Sequence, residues 1–318
     1  MTPSPAEVRF GVHLGRGDAG ALRARAARIE ALGFDSIWVG DHVSFHTPTL
    51  DSLTVLTYVA AVTSRVRLGP CVYLLALRQP TVAAKMVATL DFLSGGRVVF
   101  GVGVGGEFPK EFEACGVPLA ERGRRVDEGI AVCRALWGPS PASFAGRFVR
   151  FADVALEPKP LRTGGPPIWI GGRSDAALRR AARLGDGWVS YVVTPERYRK
   201  SLEKIRAFAA GAGRSLDGPD RFEPAHLLFT VLDDDWSRAH ATATRALTRQ
   251  YNQPFDELAR KYCLLGSPDQ CTETLARFVE AGVRTFVLGF VGGAERFSEQ
   301  LERFAAEVLP RFRASASS

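Results

Sequence analysis

Short runs of β-branched and aromatic residues alternate along the chain with longer stretches whose apolar positions recur every three to four residues. Eight of the short runs read as strands, at 8–14, 35–40, 66–75, 97–103, 167–171, 186–191, 225–232 and 284–289. Leu22, Ala26, Ile29 and Leu32 share one face of the first predicted helix, and Leu301, Phe304, Ala305 and Val308 one face of the last. Four strands run into glycine, at Gly40, Gly101 to Gly103, Gly171-Gly172 and Gly289. Three of these follow a helix that itself stops at glycine, at Gly33, Gly95-Gly96 and Gly282. A helix with a glycine cap, a short buried strand and a permissive turn is the unit of a parallel sheet. Eight such units predict a (β/α)8 TIM barrel, with a doubly wound open sheet as the alternative. Barrels of this kind collect their chemistry at the carboxyl ends of the strands.

The spacing is uneven. Between the fourth and fifth strands lies more than twice the length that separates the third and fourth. This extra length holds a long helix near 119–137 and then Phe144 to Phe151, which alternates about Gly146-Arg147 like an edge hairpin. The barrel is therefore expected to carry insertions after strand 4 and after strand 7. Residues 1–318 form a single domain in this reading, with 138–166 an excursion over the barrel mouth and 233–283 a second one. That second stretch is expected to hold two helices and a polar connection, Tyr251-Asn252-Gln253-Pro254, and is either surface elaboration or a pocket wall. Residues 314–318, rich in Ser and Ala, are expected to be a flexible tail.

Composition narrows the function classes. With 318 residues and 46% apolar residues the chain can bury a large core. No apolar run approaches the roughly 18–20 residues of a membrane span, and the first residues lack the basic and apolar segments of a signal peptide. Five scattered cysteines without a C-x-x-C fit a reducing cytosol and a cytoplasmic protein, not a disulfide framework or a zinc knuckle. The net charge of +7 rests mainly on arginine, which a GC-rich genome explains as well as a polyanionic ligand does. No basic run with interleaved aromatics suggests nucleic acid. The partner expected is a small-molecule substrate, with neither nucleic acid nor membrane.

Several strand ends could carry chemistry. Gly101, Gly103 and Gly106 satisfy G-x-G-x-x-G, but after the fourth strand, and Pro109 delays the next helix. Bare backbone at Gly103, Gly105 and Gly106, and at Gly171-Gly172 before Arg173, better suits direct contact with a phosphate or a ring; tight βα turns are the alternative. Asp41-His42 follows the second strand and His13 ends the first, where an imidazole could handle a proton. Otherwise Asp41 merely caps a helix beside a solvated His42. His42 and His46 lack the third ligand of a zinc site, so no metal is expected. Gly69-Pro70 early in the third strand predicts a bulge.

Taken together, Arg65 to Val72, Leu77-Arg78-Gln79-Pro80, Thr89 to Arg97, Gly101-Val102-Gly103 and Glu121 to Glu128 resemble the bacterial luciferase-like superfamily. Its members are flavin-dependent monooxygenases and coenzyme F420-dependent oxidoreductases on (β/α)8 barrels. The resemblance implies that Asp41 and His42 lie beside the cofactor ring and that a non-proline cis peptide, Cys71–Val72, backs it. It further implies that Gly105-Gly106-Glu107 and Gly171-Gly172 hold the ring edge and phosphate. His42 and Glu107 are then the candidates for proton exchange. An Asp before the His favours coenzyme F420 over FMN, and hence hydride transfer with a small organic substrate. The alternatives are an FMN-dependent monooxygenase supplied by a flavin reductase, and a non-catalytic flavin-binding homologue. A homodimer is the assembly the resemblance suggests.

Overall fold

In the computed structural model, residues 8–217 and 222–313 are described; the predicted tail lies outside them. Eight parallel strand positions close on themselves. They are β1 (Arg9–His13), β2 (Ser36–Val39), the broken pair β3 (Arg67–Pro70) and β4 (Tyr73–Leu74), β5 (Phe100–Gly103), β8 (Ile168–Gly171), β9 (Gly187–Tyr191), β10 (Glu223–Leu232) and β12 (Thr285–Phe290). Hydrogen-bonded neighbours run β3-β2-β1-β12-β10-β9-β8-β5-β4. The ring closes where Leu68 of β3 bridges Val98, just ahead of β5. Closure excludes the open doubly wound sheet. Gly69 and Pro70 pair with β2 in regular register, so the bulge expected there is absent; the third strand instead breaks just after them, at Cys71–Val72.

The barrel floor is filled by two indoles. Trp38 and Trp169 stack at 4.9 Å and are almost fully buried. Indoles fit only because glycines face them: a Cβ on Gly69 would stand 2.5 Å from Trp38 Cζ3, and one on Gly187 2.5 Å from Trp169 Cδ1. Each tryptophan buries roughly 150–250 Å², on the order of 4–6 kcal/mol of transfer free energy. A plugged floor leaves the interior open at the strand carboxyl ends.

Helices close the outside with the caps their sequences announce. α1 (Ala19–Ala31) starts on the Asp18 side chain and buries Leu22, Ala26 and Ile29. α2 (Ser52–Ala60) starts on Asp51. α3 (Pro80–Ser94) begins with proline and ends on Gly95 in the left-handed region, where glycine carries no Cβ penalty. α4 (Pro109–Ala114) and α5 (Arg122–Trp137) follow β5.

The first excursion contains the predicted hairpin, β6 (Ala142–Ala145) against β7 (Arg150–Val154). It does not cover the mouth. Backbone N–H groups of residues 147–149 donate to Glu128 on α5, Lys159 Nζ donates to the Leu136 carbonyl, and Leu161 N–H donates to Asp91 on α3. The segment therefore lies along the outer flank of α3 and α5, held there by two carboxylates. α6 (Asp175–Leu184) and α7 (Pro195–Gly211) continue the barrel. The second excursion holds three helices, not two: α8 (Trp236–Tyr251), α9 (Asp256–Tyr262) and α10 (Pro268–Glu280). It also holds β11 (Leu264–Gly266), which pairs with the end of β10. α11 (Ala294–Glu307) and α12 (Leu309–Arg313) complete the outer layer.

Candidate active site

A cavity of about 1280 Å³ opens at the carboxyl ends of the barrel strands. His13, Asp41, His42, Cys71, Val72, Gly105, Gly106, Glu107, Gly171 and Gly172 all line it, so one space brings together nearly every residue singled out in the sequence. The second excursion supplies a wall through α8, from Thr242 to Tyr251. Its reading as a pocket wall therefore stands over plain surface elaboration.

Asp41 acts through its neighbours. Its carboxylate is buried and accepts two bonds from the Arg78 guanidinium, at 2.8 and 2.9 Å, one from Leu74 N–H at 2.9 Å and one from Ser52 Oγ at 3.0 Å. Burial raises its pKa, and the Arg78 charge with the Leu74 and Ser52 bonds pulls it back. A bidentate guanidinium keeps the pair ionised. Both oxygens are thus spent on tying the end of β2 to the broken third strand, and neither is left for a ligand. Arg78 also stacks over Tyr73 at 4.4 Å.

His42 is held differently. Its Nδ1 lies 3.2 Å from both oxygens of Glu111, a fully buried carboxylate on α4 that also accepts the Val43 N–H at 3.2 Å. The ring stacks on Phe45 at 3.9 Å. A carboxylate can only accept, so Nδ1 carries the proton and Nε2 is the free position. Sequence reasoning missed Glu111, because nothing local in Pro109-Lys110-Glu111 marks it; its role arises from packing α4 against the turn after β2. His46 instead packs edge-on to Phe108 at 4.7 Å. Among the described residues no three His, Cys, Asp or Glu side chains gather as a metal group would require.

The Cys71–Val72 peptide is cis. Val72 fills the space above the floor, and two of the candidate glycines exist for it. A Cβ on Gly103 would stand 2.3 Å from Val72 Cγ2, and one on Gly171 2.7 Å from Val72 Cγ1. Gly103 is buried behind Val72 and is absent from the cavity lining, so its role is steric. Burial pushes the Cys71 thiol up to about 12, which keeps it protonated and makes it wall, not nucleophile.

Gly105 (φ 62°), Gly106 (φ 111°) and Gly172 (φ 122°) have backbone conformations that only glycine adopts easily, and each lines the cavity. Beside Gly106 lies Arg122, whose Nε is buried without a hydrogen-bond partner among the described residues while its Nη1 donates to the Leu119 carbonyl. An orphaned guanidinium N–H next to bare backbone is an anion-binding feature. Arg173, expected beside the cofactor, is exposed and absent from the cavity lining; it donates to the Val192 carbonyl at 3.1 Å with its guanidinium over Tyr191. The N-terminus of α6 is already capped by Ser174 and carries Asp175, so at this strand end the Gly172 backbone, and not the helix end, is open to the cavity.

Glu107 accepts a 2.5 Å bond from the Tyr191 hydroxyl. Burial, then Glu107, raises the Tyr191 pKa, and the same two causes raise that of Tyr251. Opposite stands His13, lowered to about 4 by burial and by Arg16, with Nδ1 accepting the Gly15 N–H at 3.3 Å. A neutral imidazole so held carries its proton on Nε2.

A family profile described as luciferase-like monooxygenase matches residues 4–285. An FMNH2-dependent dimethylsulfone monooxygenase of Pseudomonas putida is 30% identical over 262 residues, covering 74% of this chain and 71% of that protein. An F420-dependent glucose-6-phosphate dehydrogenase of Nocardia farcinica is 29% identical, with 92% of this chain and 93% of the relative covered. Among solved structures, a monooxygenase from Streptomyces bottropensis superposes with a TM-score of 0.82 at 26% identity, covering 96% of this chain and all of its own.

Proposed function

Because this chain belongs to the luciferase-like monooxygenase family, we propose that it is an oxidoreductase moving a hydride between coenzyme F420 and a small organic substrate. The observation that carries the reading is His42: a cavity-facing imidazole whose Nδ1 is pinned by buried Glu111, leaving Nε2 to give or take a proton. The residues present fit a phosphate-bearing deazaflavin. Val72 and Cys71 form a flat wall for the ring, and Gly105, Gly106 and Gly172 bare their backbone to its edge and phosphate. The unpartnered Arg122 Nε gives that phosphate a charged donor. When bound, reduced F420 supplies a hydride from C5, whereas reduced FMN supplies reactivity toward oxygen. The protein's residues do the remaining work. Val72 would back the ring, α8 would help wall the cavity, and His42 would hold or release the proton at Nε2. Glu107, poised on Tyr191, is the second candidate for proton transfer.

The choice of F420 rests on charge. The chain carries a formal net charge of +7, and Arg173, beside Tyr191, is exposed and outside the cavity lining. An acidic-tailed deazaflavin suits that surplus better than FMN. The monooxygenase relatives favour the second reading, reduced FMN delivered by a flavin reductase. Paired fluorescence titrations with FMN and coenzyme F420, at low and high salt, test the choice. F420 is expected to bind more tightly and to weaken with salt, because exposed charge pairs are screened beyond about 8–10 Å. Tighter FMN binding, or turnover that requires oxygen, moves the protein to the monooxygenase branch.

The same proposal takes the chain as one barrel domain acting in the cytoplasm; no helix among the described residues is long and apolar enough to cross a membrane. It also includes a homodimer. Val82, Met86, Phe92 and Leu93 of α3 are exposed, an apolar face that a second copy would cover. Sedimentation showing a monomer at micromolar concentration would remove this part.

A further inference from the structure

The cavity has two cationic poles, and they stand on opposite sides of the mouth. In the closed strand order, β5 and β8 occupy the fourth and fifth ring positions, facing β12 and β1 across the barrel. The first pole, above β5 and β8, consists of Gly105, Gly106, Gly172 and Arg122. The second consists of Arg16, in the loop after β1, with Arg245 and Arg249, one turn apart on α8. α8 leans on the β12 side: a Cβ on Gly292 would stand 2.8 Å from Thr242 Cγ2.

The three arginines of the second pole have no carboxylate partner among the described residues. Arg245 reaches only the Thr242 hydroxyl, at 3.5 Å. The cavity's two acidic residues are held elsewhere, Asp41 by Arg78 and Glu107 by Tyr191. Arg25, the remaining cavity arginine, is used internally, donating to the Arg16 carbonyl at 2.6 Å and stacking over Phe297 at 4.7 Å. Several arginines elsewhere in this protein do find acids, as Arg28 does with Glu302 and Arg303 with Asp234 and Glu307. Three exposed like charges lining one cavity attract a ligand of opposite sign.

We propose that Arg16, Arg245 and Arg249 form a substrate subsite for an oxyanion — a carboxylate, sulfonate or phosphate — so that the reducible or oxidisable substrate is itself a small organic anion. The inference rests on the proposed redox reading, with the cofactor's phosphate at the Gly106–Arg122 pole. That separation leaves the reacting end of the substrate between His42 and the Val72 wall. Guanidinium groups suit the task because their planar fork can take two oxygens of one anion at once.

Inorganic phosphate, sulfate and acetate serve as probes, titrated calorimetrically into the cofactor-loaded wild type, Arg245→Gln/Arg249→Gln and Arg16→Gln at constant ionic strength. Saturable phosphate or sulfate binding to the wild type is expected, weakened at least tenfold in the double variant and severalfold in Arg16→Gln. Cofactor affinity should stay within twofold. Absence of saturable binding to the wild type, or unchanged binding in the variants, overturns the proposal. So does a parallel loss of cofactor affinity, which would assign the arginines to the cofactor's own acidic tail. If neither FMN nor F420 binds the wild type, the redox reading fails separately, and the same titrations on unloaded protein still report on the arginine pole. Thermal denaturation of each variant shows that it is folded; Arg16 lies on a different element from the other two, so a defect confined to α8 does not mimic the result.

Discussion

His42 Nδ1 lies 3.2 Å from both carboxylate oxygens of Glu111, and that carboxylate is inaccessible to solvent. The pair fixes both the tautomer and the direction of the imidazole, as second-layer carboxylates do for working histidines in general. His42→Ala should therefore lower turnover by about 10²–10⁴-fold, the range of a general acid–base group, with cofactor affinity little changed. Glu111→Gln should lower turnover less, by roughly tenfold or more, and shift the pH–rate profile, because the amide can no longer stabilise a protonated ring. Steady-state kinetics over pH, with cofactor titrations beside them, check both. An unchanged profile in Glu111→Gln would reduce Glu111 to a packing residue.

Arg78 and Asp41 form a second buried pair with a different purpose. Removing one partner of such a pair typically costs about 3–5 kcal/mol, because the other charge is left uncompensated. Arg78→Ala should show that loss in urea denaturation. Arg78→Lys should recover only part of it, since an ammonium cannot donate two parallel bonds to the Asp41 oxygens. Full recovery by lysine would mean that charge alone, and not the fork, holds the turn after β4.

The outline of the barrel was legible because the strands are short and largely apolar, four of them run into glycine, and Gly33, Gly95 and Gly282 mark helix ends by local chemistry. What those glycines do was only partly legible. Gly105, Gly106 and Gly172 open backbone to the cavity as expected, whereas Gly103 and Gly171 make room for Val72. A glycine required for a ligand and one required for a neighbouring side chain look the same in a sequence. Asp41 and Glu111 illustrate the other limit. Asp41 was placed correctly at the strand end, but its commitment to Arg78 depends on where the broken third strand turns. Glu111 was invisible because its partner lies 69 residues away in sequence. The course of 138–166 along α3 and α5 was misjudged for a similar reason: Glu128 and Asp91 anchor it through backbone N–H groups that carry no sequence signature.

The steric assignment of Gly103 can be tested by a double-mutant cycle. Gly103→Ala places a Cβ 2.3 Å from Val72 Cγ2, and overpacking of this kind typically costs about 1–3 kcal/mol. Val72→Ala removes the clashing methyl groups and leaves a cavity of its own. The double variant should be more stable than the sum of the single losses by roughly 0.5–3 kcal/mol, the range of coupling for residues in contact. Additive losses in chemical denaturation would show that Val72 is not what excludes a side chain at residue 103.

His226 makes stability depend on pH in a defined sense. It is fully buried in the barrel, with Nδ1 2.7 Å from Ser190 Oγ and 3.1 Å from the Ser190 carbonyl. Its Nε2 has no partner among the described residues. Burial lowers its pKa to about 3, against a small opposing effect of the Ser190 bond. In the unfolded chain a histidine titrates near 6.5. Below that pH the unfolded state binds a proton that the folded state refuses until about pH 3, so stability is complete above about pH 6.5 and falls as the pH drops toward 3. The contribution is about 1.4 kcal/mol per pH unit where the slope is full, or on the order of 2–3 kcal/mol between pH 6.5 and 4.5. His13, lowered to about 4, acts in the same sense. His226→Leu keeps an apolar group against Phe278 and removes one titrating site, so the stability difference between variant and wild type should move by about 2–3 kcal/mol in the variant's favour over that interval. Acid effects common to both proteins cancel in the difference. A difference that stays constant from pH 6.5 to 4.5 in urea denaturation would mean that the folded barrel accepts the proton at His226, contrary to the burial of its ring.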